Sequence, residues 1–229
     1  MSREDVRTRI EEIGIIPAIR VSSTEDALFA AESVASGGIP IVELTMTVPG
    51  AIDVIAHLVR SAPRLIVGAG TVWNTETARR CLDAGAQFLT STGFDPHIVE
   101  FAIQNDMAVF PGALTPSEVM MAWKSGPDFV KVFPCAQMGG ASYVKTLKSP
   151  FPQVPLIASG GVNQQNVAEF ILAGATAVGV GAHLVPKKAI ELRQTQRIHE
   201  LAVRLVTTVR ESRAQMARRP PQPKAEPRP

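Results

Sequence analysis

Cysteine is scarce in this chain. Cys81 and Cys135 are its only two, and neither belongs to a CxxC pair, which argues against a disulfide framework and against a thiolate zinc site. The four histidines, His57, His97, His183 and His199, are scattered and form no HExxH cluster, so no metal is expected. No run approaches the roughly 18 apolar residues of a membrane span. The opening stretch MSREDVRTRIEEIG is polar and has no apolar h-region, so a secretory signal is not expected. The reading is a cytoplasmic protein with no membrane partner. A glycine fingerprint is also missing: GIIPAIRVSSTED, the first apolar run and its sequel, holds no GxGxxG, as a dinucleotide-binding open sheet would usually carry there.

One-sided charge is missing from the body of the chain. The net charge is +2, but residues 211–229 alone hold five basic residues, Arg213, Arg218, Arg219, Lys224 and Arg228, against Glu211 and Glu226. The remainder is nearly neutral, so no basic face for nucleic acid is expected. The proline-rich end, RRPPQPKAEPRP, cannot continue a helix past Pro220 and has nothing apolar to bury. We therefore divide the chain into one domain over 1–210 and, over 211–229, a helix end with a disordered Pro/Arg-rich tail.

What is present is alternation. Short β-branched runs at 14–21, 39–46, 64–72, 87–92, 107–113, 128–134, 155–161 and 176–185 are each followed by a helical stretch. Helix starts are marked by Ser22-x-x-Glu25, by Asn74, by Asp95-Pro96 and by Thr115-Pro116-Ser117-Glu118, all N-cap signatures. Further helices are read from Val48, over 140–148 and from Asn163. The runs are apolar on both faces, as buried parallel strands are. Eight such units, with a helix in front of the first strand, predict an α/β fold: a (β/α)8 TIM barrel.

Against that apolar background a few polar strand residues stand out. DFVKVFP (128–134) puts Lys131 among Phe129, Val130, Val132 and Phe133, a costly place for a charged amine. With period-two alternation, Lys131, Phe129 and Phe133 face inward together. Glu43 shares a face with Thr45 and Thr47 on the second strand. Thr71, Thr90, Thr92 and Ser159 lie near the ends of other strands, where barrel enzymes keep their active sites. Burial disfavours the charged form of an amine, and a neutral lysine attacks a ketone to give a Schiff base. Glu43 is then placed to move protons. A buried ion pair of purely structural role fits the same pattern, and Arg20 reads equally as a surface ion pair or an anion ligand. GVGAH (179–183) is a phosphate-loop candidate, with His183 read as a rim residue, and Cys135 is read as a packing residue. Asp128 opens its strand and so belongs to the opposite mouth.

VELTMTVPGA, GAGTV, KVFP, SGGV and AVGVGAHLV, in this order and spacing over residues 10–186, resemble the 2-keto-3-deoxy-6-phosphogluconate / 4-hydroxy-2-oxoglutarate aldolases. The resemblance implies a trimeric (β/α)8 barrel, a homotrimer acting on a small keto-acid in the Entner–Doudoroff pathway. It implies a Schiff-base lysine at Lys131 and no metal or other cofactor. It implies Glu43 as the acid/base. Thr71 and Arg20 match positions near the keto-acid carboxylate, Phe133 the pocket wall, and Ser159, Gly160 and Gly161 a phosphate-binding turn. Thr47, Thr92, Ser159 and Ala182 depart from residues that many members have. Two other readings remain open beside this one: a phosphate-binding isomerase or epimerase using Glu43 without covalent chemistry, and a non-catalytic metabolite binder.

Overall fold

The structure is a computed structural model and describes residues 1–218. The expectation of a disordered terminus falls almost wholly on 219–229, outside the described residues. The elements follow the predicted alternation. Helix α1 (Arg3–Ile13) precedes β1 (Ile15–Ile19), α2 (Thr24–Ser36), β2 (Ile41–Thr45) and α3 (Ala51–Ser61). Next come β3 (Ile66–Gly70), α4 (Thr75–Asp83), β4 (Phe88–Thr90), α5 (Pro96–Gln104), β5 (Ala108–Phe110), β6 (Gly112–Ala113) and α6 (Pro116–Lys124). Then follow β7 (Val130–Val132), α7 (Gly140–Lys148), β8 (Leu156–Ser159), α8 (Val167–Leu172), β9 (Ala177–Val180), α9 (Lys187–Glu191) and α10 (Thr195–Ala217). No described helix is long and apolar enough to cross a membrane.

All nine strands pair in parallel, in the order β5-β4-β3-β2-β1-β9-β8-β7-β6. The ninth strand corrects the expected eight. Pro111 divides the fifth predicted strand, because proline has no N–H to give a ladder. Its front half, β5, pairs with β4, and its rear half, β6, pairs with β7. Chain continuity through Pro111 therefore joins the two ends of the sheet, and Lys131 N–H donates to the Pro111 carbonyl at 2.9 Å. Eight staves close the barrel.

Some helix starts also differ from expectation. Helix α2 is capped by Ser23, which accepts from the Asp26 N–H, one residue beyond the predicted Ser22–Glu25 pair. Helix α3 begins at Ala51 rather than Val48. Helix α8 begins at Val167 rather than Asn163, because the Asn163 side chain accepts from the Gln165 and Asn166 N–H groups and holds a turn there. Such local bonds compete with helix formation. The caps at Asn74, Asp95 and Thr115 stand as read.

Inside the barrel, Phe88, Phe110 and Phe129 form an aromatic floor, with ring centroids 5.2 Å and 5.1 Å apart along the series. All three are fully buried, and Gly68 leaves the room that the Phe88 ring occupies. Below the floor, helix α1 closes the N-terminal mouth. Arg3 Nε donates to both oxygens of the buried Asp128 at 2.9 Å, and the Val109 N–H donates to the same carboxylate at 2.9 Å. Asp128 thus sits at the bottom, as its place in the strand implies. On the far side, α10 packs along α2 and α8. Ser212 is buried, and Arg213 donates to the Glu12 and Thr176 carbonyls at 2.7 Å, so packing continues past residue 210.

Burial pushes the Asp128 carboxyl above its ordinary 3.8, while the Val109 amide and the Arg3 guanidinium pull it down. Arg3→Met should therefore leave a poorly compensated buried charge and cost about 1–3 kcal/mol at neutral pH. A folded-state value above the unfolded one means that the native state binds the proton more tightly. The deficit should shrink as the pH falls toward the carboxylate range. Denaturation of the variant at several pH values checks this. A deficit that grew on acidification, or lost activity at unchanged stability, would contradict a structural role at this mouth.

Candidate active site

Above the aromatic floor lies a polar layer. Side chains of one barrel layer come from alternate staves. Here the second stave gives Glu43, the fourth Thr90 and the sixth Lys131, and all three are buried, at 3%, 1% and 6% exposure. Lys131 Nζ lies 3.6 Å from Glu43 Oε1 and donates to Thr90 Oγ1 at 3.2 Å. The eighth stave gives Gly179, which contributes no side chain. The Ser159 side chain takes the room beside it, and above the layer lies a cavity of about 400 Å³. Gly70 is needed for the same layer: a Cβ there would overlap the Glu43 carboxylate. The two glycines of the GAG in β3 are thus clearances, Gly68 for the Phe88 ring and Gly70 for Glu43 on the neighbouring strand.

The cavity brings together the eight residues for which the resemblance implied a role. Lys131 and Glu43 form its inner end. Thr71 lines it from the end of β3, with φ at +60°. That is an uncommon conformation for a β-branched residue, worth about 1–3 kcal/mol of strain, and such strain gathers at functional sites. The Val72 N–H donates to the Thr90 carbonyl at 3.1 Å and ties this corner to β4. Phe133, half-buried, forms a wall, and its peptide bond to Pro134 is cis. Arg20 lines the cavity from the end of β1 with an exposed side chain.

Ser159, Gly160 and Gly161 form the turn after β8, with Gly160 and Gly161 at φ +88° and +80°. Only glycine takes two such positions in succession without strain. A Cβ at Gly160 would also lie 3.1 Å from the Phe133 ring. The Ser159 and Gly160 carbonyls accept from Cys135 and Ala136 N–H, and the Gly161 carbonyl accepts from Asn166 Nδ2. The acceptors of the turn are thus engaged, and what it offers a ligand is N–H donors, the arrangement of an anion-binding nest.

Other groups complete the lining. Ala182 and His183 are exposed at the rim. Gln137, from the loop after β7, also faces the cavity. No sequence signal marked it, because a loop residue has no periodicity to break. Thr90 was visible only as one polar strand residue among several, and its bond to Lys131 depends on which staves share a layer. Cys135 is buried, and burial pushes its thiol to about 11, so it is a packing residue rather than a thiolate nucleophile. Cys81, pushed to about 12 by burial, is likewise inert. Among the described residues no three His, Cys, Asp or Glu side chains are grouped to hold a metal ion. Chemically, the site offers an enclosed amine, a carboxylate beside it, and donors and cations toward the mouth. These can form a carbon–nitrogen bond to a carbonyl and hold an anionic chain.

Comparison with known proteins agrees in kind. The family model for KDPG and KHG aldolase matches residues 6–201. A 2-dehydro-3-deoxy-phosphogluconate aldolase of Treponema pallidum is 30% identical over 79% of this chain and 86% of its own length. A KHG/KDPG aldolase of Escherichia coli is 31% identical over 82% of this chain and 88% of its own. Among solved structures, KDPG aldolase from Legionella pneumophila, with pyruvate captured at low pH as a covalent carbinolamine intermediate, superposes with a TM-score of 0.81. It is 32% identical, over 87% of this chain and 97% of that one.

The clearance at Gly70 gives a direct test of the layer. Gly70→Ala should fold and displace the Glu43 carboxylate, and a displacement of about 1 Å at a reacting group costs on the order of 10²-fold in turnover. Gly93→Ala, where an added Cβ meets nothing within 4 Å, should leave turnover unchanged. Equal turnover in the two variants would show that Glu43 does not need this position.

Proposed function

This chain belongs to the KDPG and KHG aldolase family, and from that premise we propose that it is a Schiff-base aldolase with Lys131 as the covalent residue and Glu43 as the acid/base. The observation that carries the proposal is the buried Lys131–Glu43 pair, 3.6 Å apart at the inner end of the pocket. The proposed substrates are 2-keto-3-deoxy-6-phosphogluconate, giving pyruvate and glyceraldehyde 3-phosphate, and 4-hydroxy-2-oxoglutarate, giving pyruvate and glyoxylate.

Each step has a group in reach. The Lys131 amine adds to the keto carbon and gives a carbinolamine. Glu43 delivers the proton with which the hydroxyl leaves as water, and the iminium forms. The iminium is an electron sink. When the carboxylate of Glu43 takes the proton of the C4 hydroxyl, the C3–C4 bond breaks, the aldehyde departs and its electron pair makes an enamine on the remaining three carbons. Proton return to C3 and addition of water release pyruvate and the free amine. Thr71 and Arg20 supply donors for the keto-acid carboxylate, and Phe133 confines the chain. The Ser159–Gly161 turn holds the anionic end of the substrate through N–H groups. Ala182 gives this end no hydroxyl, so the turn carries more of the recognition. This chemistry uses no metal or other cofactor, and we extend the proposal to a homotrimer on the strength of the resemblance and to the cytoplasm on the strength of the polar opening stretch.

The test is pyruvate release from the two substrates by the wild-type chain and by Glu43→Gln. The variant should fold, with turnover down about 10²–10⁴-fold, the range for a lost general acid–base. Full turnover in Glu43→Gln would give the proton steps to another group. No pyruvate from either substrate with the wild-type chain would reject the aldolase reading in favour of a non-covalent or non-catalytic one.

A further inference from the structure

We propose that Thr90 is the positioning residue of the Schiff-base lysine: its hydroxyl holds Lys131 Nζ at rest and the iminium N–H during turnover, in one orientation toward Glu43. The inference rests on the aldolase reading and gives a role to a residue that the sequence marked only as polar within its strand and to which the family likeness assigned none. The Thr90 hydroxyl is the hydrogen-bond partner of Nζ, at 3.2 Å. Glu43 Oε1, at 3.6 Å, lies beyond hydrogen-bond length, although it is close enough for charge attraction. The carboxylate and the hydroxyl therefore divide the work around Nζ. Glu43 stays free to carry protons, and Thr90 fixes the nitrogen.

A lysine needs such a holder. Its flexible four-carbon stem can adopt many rotamers, and the pocket around it is wide enough for substrate. Thr90 is suited to the role. It is 1% exposed at the end of β4, above the stacked Phe88 and Phe110 rings. Its β-branched side chain is stiff, and its carbonyl is tied to Val72. The oxygen is a fixed acceptor two staves from Lys131, set by the sheet rather than by a loop.

The role becomes sharper once substrate is bound. A neutral Lys131 has two N–H bonds and one lone pair. The lone pair attacks the keto carbon. After water leaves, the planar iminium nitrogen keeps one N–H. That hydrogen needs an acceptor at this buried position, and the Thr90 oxygen is already in place. Holding it fixes rotation of the iminium plane. The plane in turn decides which face of the enamine carbon meets Glu43 when the proton returns. Losing Thr90 should thus slow the chemical steps and leave substrate recognition at the mouth unchanged.

The experiment compares Thr90→Val, Thr90→Ala and Thr90→Ser. Valine keeps the shape and removes the acceptor. We expect kcat to fall about ten- to hundredfold, the worth of a hydrogen bond to a charged group, with KM within about threefold and the melting temperature preserved. The rate at which pyruvate is trapped on the lysine by cyanoborohydride should fall by a similar factor. Serine restores the hydroxyl and should restore kcat to within about threefold. If valine prevents folding, the same contrast is read from alanine against serine. A valine or alanine variant with wild-type kcat and trapping rate would overturn the inference, and so would a serine variant as slow as alanine, since the methyl group and not the hydroxyl would then matter. A wild-type chain that traps no pyruvate would overturn the aldolase reading and this inference with it, an outcome distinct from normal trapping in all variants.

Discussion

An opposite-charge pair inside an apolar barrel is the constraint around which the structure is arranged. Lys131 and Glu43 come from β7 and β2, on opposite sides of the ring, and meet 3.6 Å apart with almost no exposure. Charges in such a place are tolerated only when paired or neutralised. The barrel supplies the pairing through geometry: alternate staves put the two side chains in one layer, Gly70 makes the clearance for the carboxylate, and Thr90 accepts from the amine. At Gly179 the missing side chain leaves room for the Ser159 side chain, and both residues line the cavity above the pair. The aromatic floor beneath separates this layer from the structural Arg3–Asp128 pair at the other mouth. The barrel interior thus has an ion pair toward each end, one closing the fold and one open to a ligand.

Much of this was legible in the chain because charge inside a strand is a loud signal. Lys131 and Glu43 interrupt runs that are otherwise apolar, and helix caps at Asn74, Asp95 and Thr115 mark where strands end. What stayed hidden was relational. Thr90 is an ordinary strand residue by composition, and only closure of the ring brings it beside a lysine forty-one positions away. Pro111 sits within an apolar run and splits it, since the lost N–H matters only where a neighbour would accept it. Ser22 and Ser23 are equal cap candidates by type, and the hydrogen bond to Asp26 chooses the second. The late start of α8 has a similar cause, because Asn163 and Asn166 bond locally before the helix can begin.

Position in the barrel also sorts what a residue is for. At the top, Thr71 at φ +60° and the paired left-handed glycines after β8 hold backbone in shapes that packing alone would not choose. At the bottom, α1 and α10 are tied to the body by arginine–carbonyl and arginine–carboxylate bonds. Cys135 shows that nearness to the site is not enough. It follows the KVFP motif directly, yet its burial raises the thiol to about 11 and removes it from the chemistry.

The central claim is that Lys131, and no other lysine, forms a covalent bond to a keto acid. Incubating the chain with pyruvate and borohydride, then mapping the modified peptide by mass spectrometry, tests it most directly. The account predicts one reduced three-carbon adduct, on Lys131, absent without pyruvate and absent in Lys131→Met. No adduct, or an adduct on an outward lysine such as Lys124 or Lys145, would contradict it.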